Sequence, residues 1–268
     1  MKELWVPLSG AIAQQRNVDT IANNVANANT AGFKRDQVVF KEYLTAFEKG
    51  VEDIDLPRGE WSPADFYRHY GAENAKVKVE GSFTDFEQGQ LTPTGNPFDL
   101  ALNGPGFLEV LTPQGIRYTR RAILSLSQDG TLVTDQGHPV LSKAQGEQTE
   151  NPQDRVVRLQ QGQFNVNLQG DIFINNQQTN TLSIVEFQDP HALMKQGHSQ
   201  YINNFAENLK RDDIKTSVNQ GFVEQSNVNA IAEMSELIKA NRQFETIQRV
   251  IKAYDNISAK GVNEISKF

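Results

Sequence analysis

From about residue 229 to residue 266 the chain carries one uninterrupted helical pattern, and this stretch restricts the possible folds more than any other feature. Met234, Leu237, Phe244, Ile247, Ile251, Tyr254 and Ser258 continue a three/four spacing, with Ile238, Ile257 and Ile265 beside them. At 1.5 Å per residue such a helix is about 55 Å long. That is over three times the globular average of about 11–12 residues. An apolar stripe so narrow over such a length needs a partner helix. Ser226, Asn227 and Asn229 are candidate N-caps, and Glu233 and Glu236 fall near the positive end of the helix dipole.

The partner is supplied by the other end of the chain. Leu8, Ala11, Gln15, Val18, Ala22 and Val25 recur at alternating spacings of four and three, and Ile12 and Ile21 widen the same face. This is close to a coiled-coil seam, so the two terminal helices are expected to pair as a coiled coil. Pro7 suits a helix start, where its missing N–H costs nothing, and Gly32 suits a C-terminal stop. The predicted helix covers about 7–30. Its last turns contain Asn23, Asn24, Asn27 and Asn29, and Asn is a poor interior residue because its side chain competes for nearby backbone groups. Two readings stay open: the segment frays before a loop, or its amides bond to neighbouring helices and it orders on assembly.

Between the helices, from about 33 to 225, helical signal is scarce. Short alternating or apolar runs predict strands at Lys76–Glu80, Phe98–Asn103, Phe107–Leu111, Ile116–Arg120, Ile123–Ser127, Thr131–Thr134, Val156–Leu159, Phe164–Leu168, Asp171–Asn175 and Leu182–Phe187. Turn signals separate them: Gly104-Pro105-Gly106, Pro113-Gln114-Gly115, Asp129-Gly130 and Gln136-Gly137. The expected class is therefore α+β, with a central antiparallel β domain of many short strands. The domain boundaries fall at 1–32 for the first helix, 33–75 for an extended linking region, 76–220 for the β domain, and 221–268 for the second helix. The linking region is acidic and carries Pro57-Arg58-Gly59 and Ser62-Pro63.

Composition narrows function mainly by exclusion. The chain holds 23 Asn and 24 Gln, and neutral amides can exchange water for a neighbouring subunit without the desolvation cost of a charge. A net charge of −7 without long basic runs argues against nucleic acid, whose binders neutralise phosphates with clustered cations. The pairs Lys34-Arg35, Arg120-Arg121 and Lys210-Arg211 read as solvated faces or isolated interface contacts. Cysteine is absent, which removes disulfides and thiolate chemistry. No run of 18 apolar residues spans a membrane, and the N-terminus lacks the pattern of a cleaved signal peptide.

Catalytic and cofactor signals are weak. His69, His138, His191 and His198 show no metal-ligand spacing, and Gly104-Pro105-Gly106 lacks the donors of a phosphate loop. Asp212-Asp213 reads as an exposed loop, because adjacent side chains point in different directions. No cofactor is expected.

Three segments carry a resemblance. Ser9-Gly10-Ala11-Ile12-Ala13-Gln14-Gln15, then Asn23-Asn24-Val25-Ala26-Asn27 and Thr30-Ala31-Gly32-Phe33-Lys34-Arg35, resemble the N-terminal signature of bacterial flagellar rod and hook proteins. Gly221-Phe222-Val223-Glu224-Gln225-Ser226-Asn227-Val228-Asn229, followed by Met234, Ile238, Arg242 and Phe244, resembles their C-terminal signature. Between them, Phe86, Gly89, Leu91, Thr94 and Asn96-Pro97-Phe98-Asp99-Leu100-Ala101-Leu102, with Gly104, Gly106 and Phe107, match the start of the family's middle domain. Length argues against the usually longer hook subunit and against the shortest proximal-rod proteins, while Tyr118-Thr119-Arg120, Leu132-Val133-Thr134, Gly137-His138-Pro139-Val140-Leu141 and Arg242-Gln243-Phe244-Glu245 look more like the proximal-rod FlgF type than the distal-rod FlgG type. Two departures stand out: Arg121-Ala122 replaces the family's usual turn, and Pro7 is unusually early in the first helix.

The resemblance implies a structural rod subunit of the periplasmic part of the flagellar basal body, exported by the flagellar type III apparatus without a cleaved signal peptide. Its implied partners are other copies of itself, other rod proteins and that apparatus. The paired helices would line a central channel and the β domain would lie outside them. The residues expected at assembly interfaces are Leu8, Ala11, Gln15, Val18, Asn23, Asn24, Asn27, Asn29, Phe33, Phe222, Asn227, Asn229, Met234, Leu237, Phe244 and Ile251. Alternatives are a distal-rod subunit, a non-polymerising periplasmic adaptor, and a carboxylate hydrolase using Asp99 or Asp129, for which the sequence shows no supporting constellation.

Overall fold

The computed structural model describes residues 5–44, 75–143, 151–159, 162–210 and 214–265. Most of the expected linking region, including Pro57-Arg58-Gly59 and Ser62-Pro63, lies outside these residues, as do His69 and Asp212-Asp213.

The chain runs α1 (Trp5–Ala26), β1 (Asp36–Leu44), β2 (Ala75–Thr84), β3 (Leu91–Pro93), β4 (Asp99–Asn103), β5 (Phe107–Thr112), β6 (Gly115–Thr119), β7 (Ala122–Leu126), β8 (Leu132–Thr134), β9 (Phe164–Val166), β10 (Asp171–Ile174), β11 (Gln177–Thr181), β12 (Ile184–Phe187), β13 (Met194–Gln196), β14 (Gln200–Ile202), β15 (Leu209–Lys210), β16 (Ser217–Gln220), β17 (Phe222–Glu224) and α2 (Ala230–Ile265). Two compact units result. The helical unit comprises Met1–Val25, Asp36–Phe83 and Ala230–Phe268; the β unit comprises Ala26–Arg35 and Thr84–Asn229. These divisions differ from the boundaries expected at 33, 76 and 221.

In the helical unit, α2 matches its predicted span within a residue at each end. α1 stops at Ala26, four residues before the predicted end. The reason is local: the Thr30 amide donates to the Asn27 carbonyl at 3.0 Å and the Thr30 hydroxyl to Asn27 Oδ1 at 3.2 Å, so a turn replaces the last helical turn. The helix starts at Trp5, which leaves Pro7 in the first turn where it is tolerated. β1 and β2 pair as a two-stranded sheet, so part of the expected linking region is regular strand.

The β unit contains a six-stranded sheet of order β13-β14-β6-β5-β12-β15, a four-stranded sheet β16-β4-β7-β8, a three-stranded sheet β11-β10-β9 and the pair β17-β3. The strand pairings within it are antiparallel, as alternating short runs demand. One core gathers Leu100, Leu102, Leu108, Val110, Leu132 and Ile172 among others. A second is aromatic: Phe107, Tyr118, Phe187 and Tyr201 meet edge-on at centroid distances of 4.9–5.5 Å. The predicted strand Val156–Leu159 is reduced to isolated bridges, Leu141 to Val156 and Thr131 to Arg158. Closure comes from the far end of the chain, because β16 pairs with β4 and β17 with β3.

Candidate assembly site

The helical unit holds α1 against α2 through small and polar side chains. Ala11, Ala13 and Gln14 are buried on α1, and Ala240 is buried on α2. The Gln14 carboxamide donates to the Ala240 carbonyl and to Gln243 Oε1, each at 3.1 Å. Ten residues further along α1, Asn24 donates to Glu233 Oε2 at 3.2 Å, so the two helices run antiparallel. On α2 the less exposed positions are Glu233, Leu237, Ala240, Phe244, Ile247 and Ile251, a repeat of four and three. The α1 contact face is therefore centred on Ala11 and Gln14. The predicted stripe is displaced from it: Leu8 is 42% exposed, and Gln15 points outward and donates to Asp19. Alanine at the contact lets two backbones approach, which a search for large apolar residues overlooks.

Asn24, 1% exposed, is a clip. Its carboxamide accepts the Asp36 amide at 3.0 Å and donates to the Asp36 carbonyl at 2.8 Å, so it copies the pairing of a neighbouring strand. Asn227 also bonds backbone in the β unit, where it bridges two segments. It accepts the Arg35 amide at 2.8 Å and donates to the Asp85 carbonyl at 2.9 Å. Both side chains are thus engaged within the chain.

The β unit also holds a buried ion cluster. Lys34 and Glu224 have fully buried side chains, and that of Arg120 is 1% exposed. Glu224 Oε1 accepts Lys34 Nζ at 2.7 Å and the Gly89 amide at 3.0 Å, while Oε2 accepts Arg120 Nε at 2.8 Å. Arg120 directs its remaining donors to the carbonyls of Gly104, Gly106 and Leu102, and Lys34 also donates to the Glu87 carbonyl. Burial, and next the neighbouring Arg120 guanidinium, pushes the Lys34 ammonium below the ordinary lysine range, against the opposing pull of Glu224. This corrects the expectation for Lys34 and Arg120, which are not solvated. Two residues without an intervening strand connect β6 to β7 here; the Arg121 amide donates to Thr119 Oγ1 at 3.0 Å across this connection, and the Arg121 guanidinium pairs with Asp135.

The other expected interface residues are scattered. Phe33 is buried beneath the Lys195 ammonium, 3.8 Å from its ring centroid. Ala11 is buried; Val18, Asn27, Phe222, Leu237, Phe244 and Ile251 are half-buried; Asn23, Asn29, Asn229 and Met234 are exposed. Sequence reasoning misses Gln14, Asp36, Glu224, Glu233 and Ala240. Lys34 and Glu224 stand in the first and last family-like segments, and that shared placement is the one available hint of a pair. Asp99 is held by Thr94 Oγ1 at 2.7 Å and Asn96 Nδ2 at 3.1 Å, and Asp129 is exposed in a turn. Among the described residues no cluster of three or more His, Asp or Glu is placed to hold a metal, and no helix is long and apolar enough to cross a membrane.

Known proteins decide what this arrangement belongs to. Residues 6–34 match the model of the flagella basal body rod protein family, 101–184 that of the flagellar hook protein FlgE/F/G D1 domain, and 219–264 that of the flagellar basal body rod FlgEFG protein C-terminal region. The chain is 30% identical to the flagellar basal-body rod protein FlgF of Caulobacter vibrioides, over 98% of each chain. The chain belongs to the flagellar basal-body rod protein family. It is also 28% identical to FlgF of Mesorhizobium japonicum, over 98% of this chain and 97% of that one. Against the rod protein FlgG of Buchnera aphidicola subsp. Schizaphis graminum the figures are 30%, 96% and 97%. The rod family's two terminal matches contain the clips and most of the ion cluster: Asn24 and Lys34 fall in the first, Glu224, Asn227 and Glu233 in the last. The family is a structural one.

Proposed function

We propose that the chain is a non-enzymatic structural subunit of the flagellar basal-body rod, of the proximal FlgF type, and that it polymerises through its terminal helices. The observation that carries this reading is the overhang of α2. With Gln14 opposite Ala240–Gln243 and Asn24 opposite Glu233, the first residue of α1 falls opposite about residue 252 at 1.5 Å per residue. Among the described residues the last three turns and more of α2 extend past α1, and they carry Tyr254 and Ile257, 40% and 67% exposed. Ile231, Met234 and Ile238 are exposed on the outer face of the same helix. Such surface on a long helix is covered when neighbouring copies or other rod proteins pack against it.

The pairing of α1 and α2 continues as a coiled coil in the assembled state, with Leu237, Phe244, Ile247 and Ile251 as its seam. In the rod the helices line a channel in the periplasm. The chain reaches that place through the flagellar export apparatus without a cleaved signal peptide. Of the expected interface residues, Leu8, Gln15, Asn23, Asn29, Asn229 and Met234 remain candidates for contacts between subunits, because they are the exposed members of the set. A distal-rod role is the second reading, favoured by the FlgG match over nearly the whole chain.

Ile257→Asp separates folding from assembly. Because the side chain is 67% exposed, the soluble subunit is expected to change in stability by no more than about 0.5 kcal/mol. Motility and recovery of the subunit in purified basal bodies are expected to be lost. Normal swimming with normal incorporation overturns the proposal.

A further inference from the structure

The part of the β unit that leads to both helices is held differently from the rest. Residues 26–35, 84–93 and 222–229 contribute little to the two apolar cores: Phe86, packed on the aromatic core, is their only member there among the described residues. Phe33, Val223 and Val228 are buried in these segments outside both cores, and the bonds that cross between the segments are polar. The Gly32 amide donates to the Glu224 carbonyl, the Asp85 amide to the Arg35 carbonyl and the Gln225 amide to the Gln90 carbonyl, each at 2.8 Å. Asn227 bridges Arg35 and Asp85 as described. At the centre two buried cations, Lys34 and Arg120, share the carboxylate of Glu224.

We propose that the Lys34–Glu224–Arg120 cluster is an opening latch: these three segments come apart as one step, separately from the two cores, and the Glu224 carboxylate holds them shut. The physical basis is the division of labour. Cores held by apolar burial and segments held by charge and hydrogen bonds form distinct cooperative units, with separate opening free energies. Removing Glu224 leaves two desolvated cations facing each other, whereas removing Lys34 leaves a balanced Arg120–Glu224 pair. Opening would release the segment that follows α1 and the segment that precedes α2 while both cores stay closed.

Hydrogen–deuterium exchange of the full chain, resolved by segment, tests this with three variants. Glu224→Gln is expected to speed exchange in 26–35, 84–93 and 222–229 by about 100-fold or more, and in β5 and β7 by less than about threefold. Lys34→Met is expected to speed the same segments by about tenfold at most, and Lys34→Met with Glu224→Gln to exchange more slowly than Glu224→Gln alone. If Glu224→Gln does not fold, Glu224→Asp, with a carboxylate one methylene shorter, is expected to give about a tenfold increase confined to the three segments. Equal acceleration of β5 and β7, unchanged exchange in the three segments, or a double variant no slower than Glu224→Gln overturns the latch.

Discussion

Replacing Gly89 by Ala is expected to destabilise the β unit by about 4 kcal/mol, the sum of a steric clash and damage to a buried ion pair. A Cβ at this position would sit 1.9 Å from the Gln225 carbonyl oxygen, which is backbone and cannot rotate away. Residues 88–90 must then move off 224–226. That movement strains the Gln225-to-Gln90 bond at 2.8 Å, the Gly89-to-Glu224 bond at 3.0 Å and the register of β3 on β17, in which Leu91 faces Glu224. Retreat of Glu224 also uncovers Lys34 and Arg120, so the clash is passed on to the costliest groups in the unit. Calorimetry is expected to show a fall in Tm of roughly 10 °C. Gly197→Ala is the control: a methyl group added there meets nothing within 4 Å, and the cost is expected to stay below about 1 kcal/mol. Gly32 behaves like Gly89, since it has φ +66° and a Cβ there would lie 2.7 Å from the Arg121 amide nitrogen.

The second large effect belongs to the helical unit. Asn24→Ala removes two donated hydrogen bonds and one accepted bond from a side chain that is 1% exposed. The Asp36 backbone and the 2%-exposed Glu233 each lose a partner, and the expected cost is about 2–4 kcal/mol. Asn24→Asp is expected to be no better, because it keeps the acceptor but places a carboxylate 3.2 Å from that of Glu233. Asn29→Ala, at an exposed position, is expected to cost no more than about 0.5 kcal/mol. Denaturant unfolding followed by helical circular dichroism distinguishes these outcomes, with the β unit's own transition as an internal reference. A combined Asn23, Asn24 and Asn27 replacement is expected to leave the β unit folded and to block assembly. The position of Asn24 makes failure of the subunit's own helix pair the principal route.

The sequence makes the long elements legible and hides the polar joints, for physical reasons. α2 spans Ala230–Ile265 against a predicted 229–266 because its periodicity persists over many turns. β4 to β8 are legible because glycine-bearing turns punctuate apolar runs. β13 to β17 are not: they are two to four residues long, too short to show an alternation, although Tyr201 in Gln200–Ile202 and Val218 in Ser217–Gln220 are buried. The α1 contact is displaced from its predicted stripe because Leu8 and Ile12 dominate any hydropathy reading, whereas the packing uses Ala11, Ala13 and the carboxamide of Gln14. Lys34 beside Arg35, and Arg120 beside Arg121, look like solvated charge. Only the fold brings Glu224, 190 residues away from Lys34, between them. The Asn residues stand out in the sequence for the correct chemistry, since Asn24 and Asn227 both pair with backbone, although they do so within one chain.

On the proposed function, this chain builds the rod by packing its terminal helices. The most direct measurement is a density map of intact, purified basal bodies at a resolution that separates helices. This subunit is expected in the proximal rod, with α1 and α2 antiparallel in the inner layer and Tyr254 and Ile257 covered by neighbouring subunits. A map in which the subunit is missing from the rod, or in which the end of α2 stands free of neighbours, contradicts the proposal.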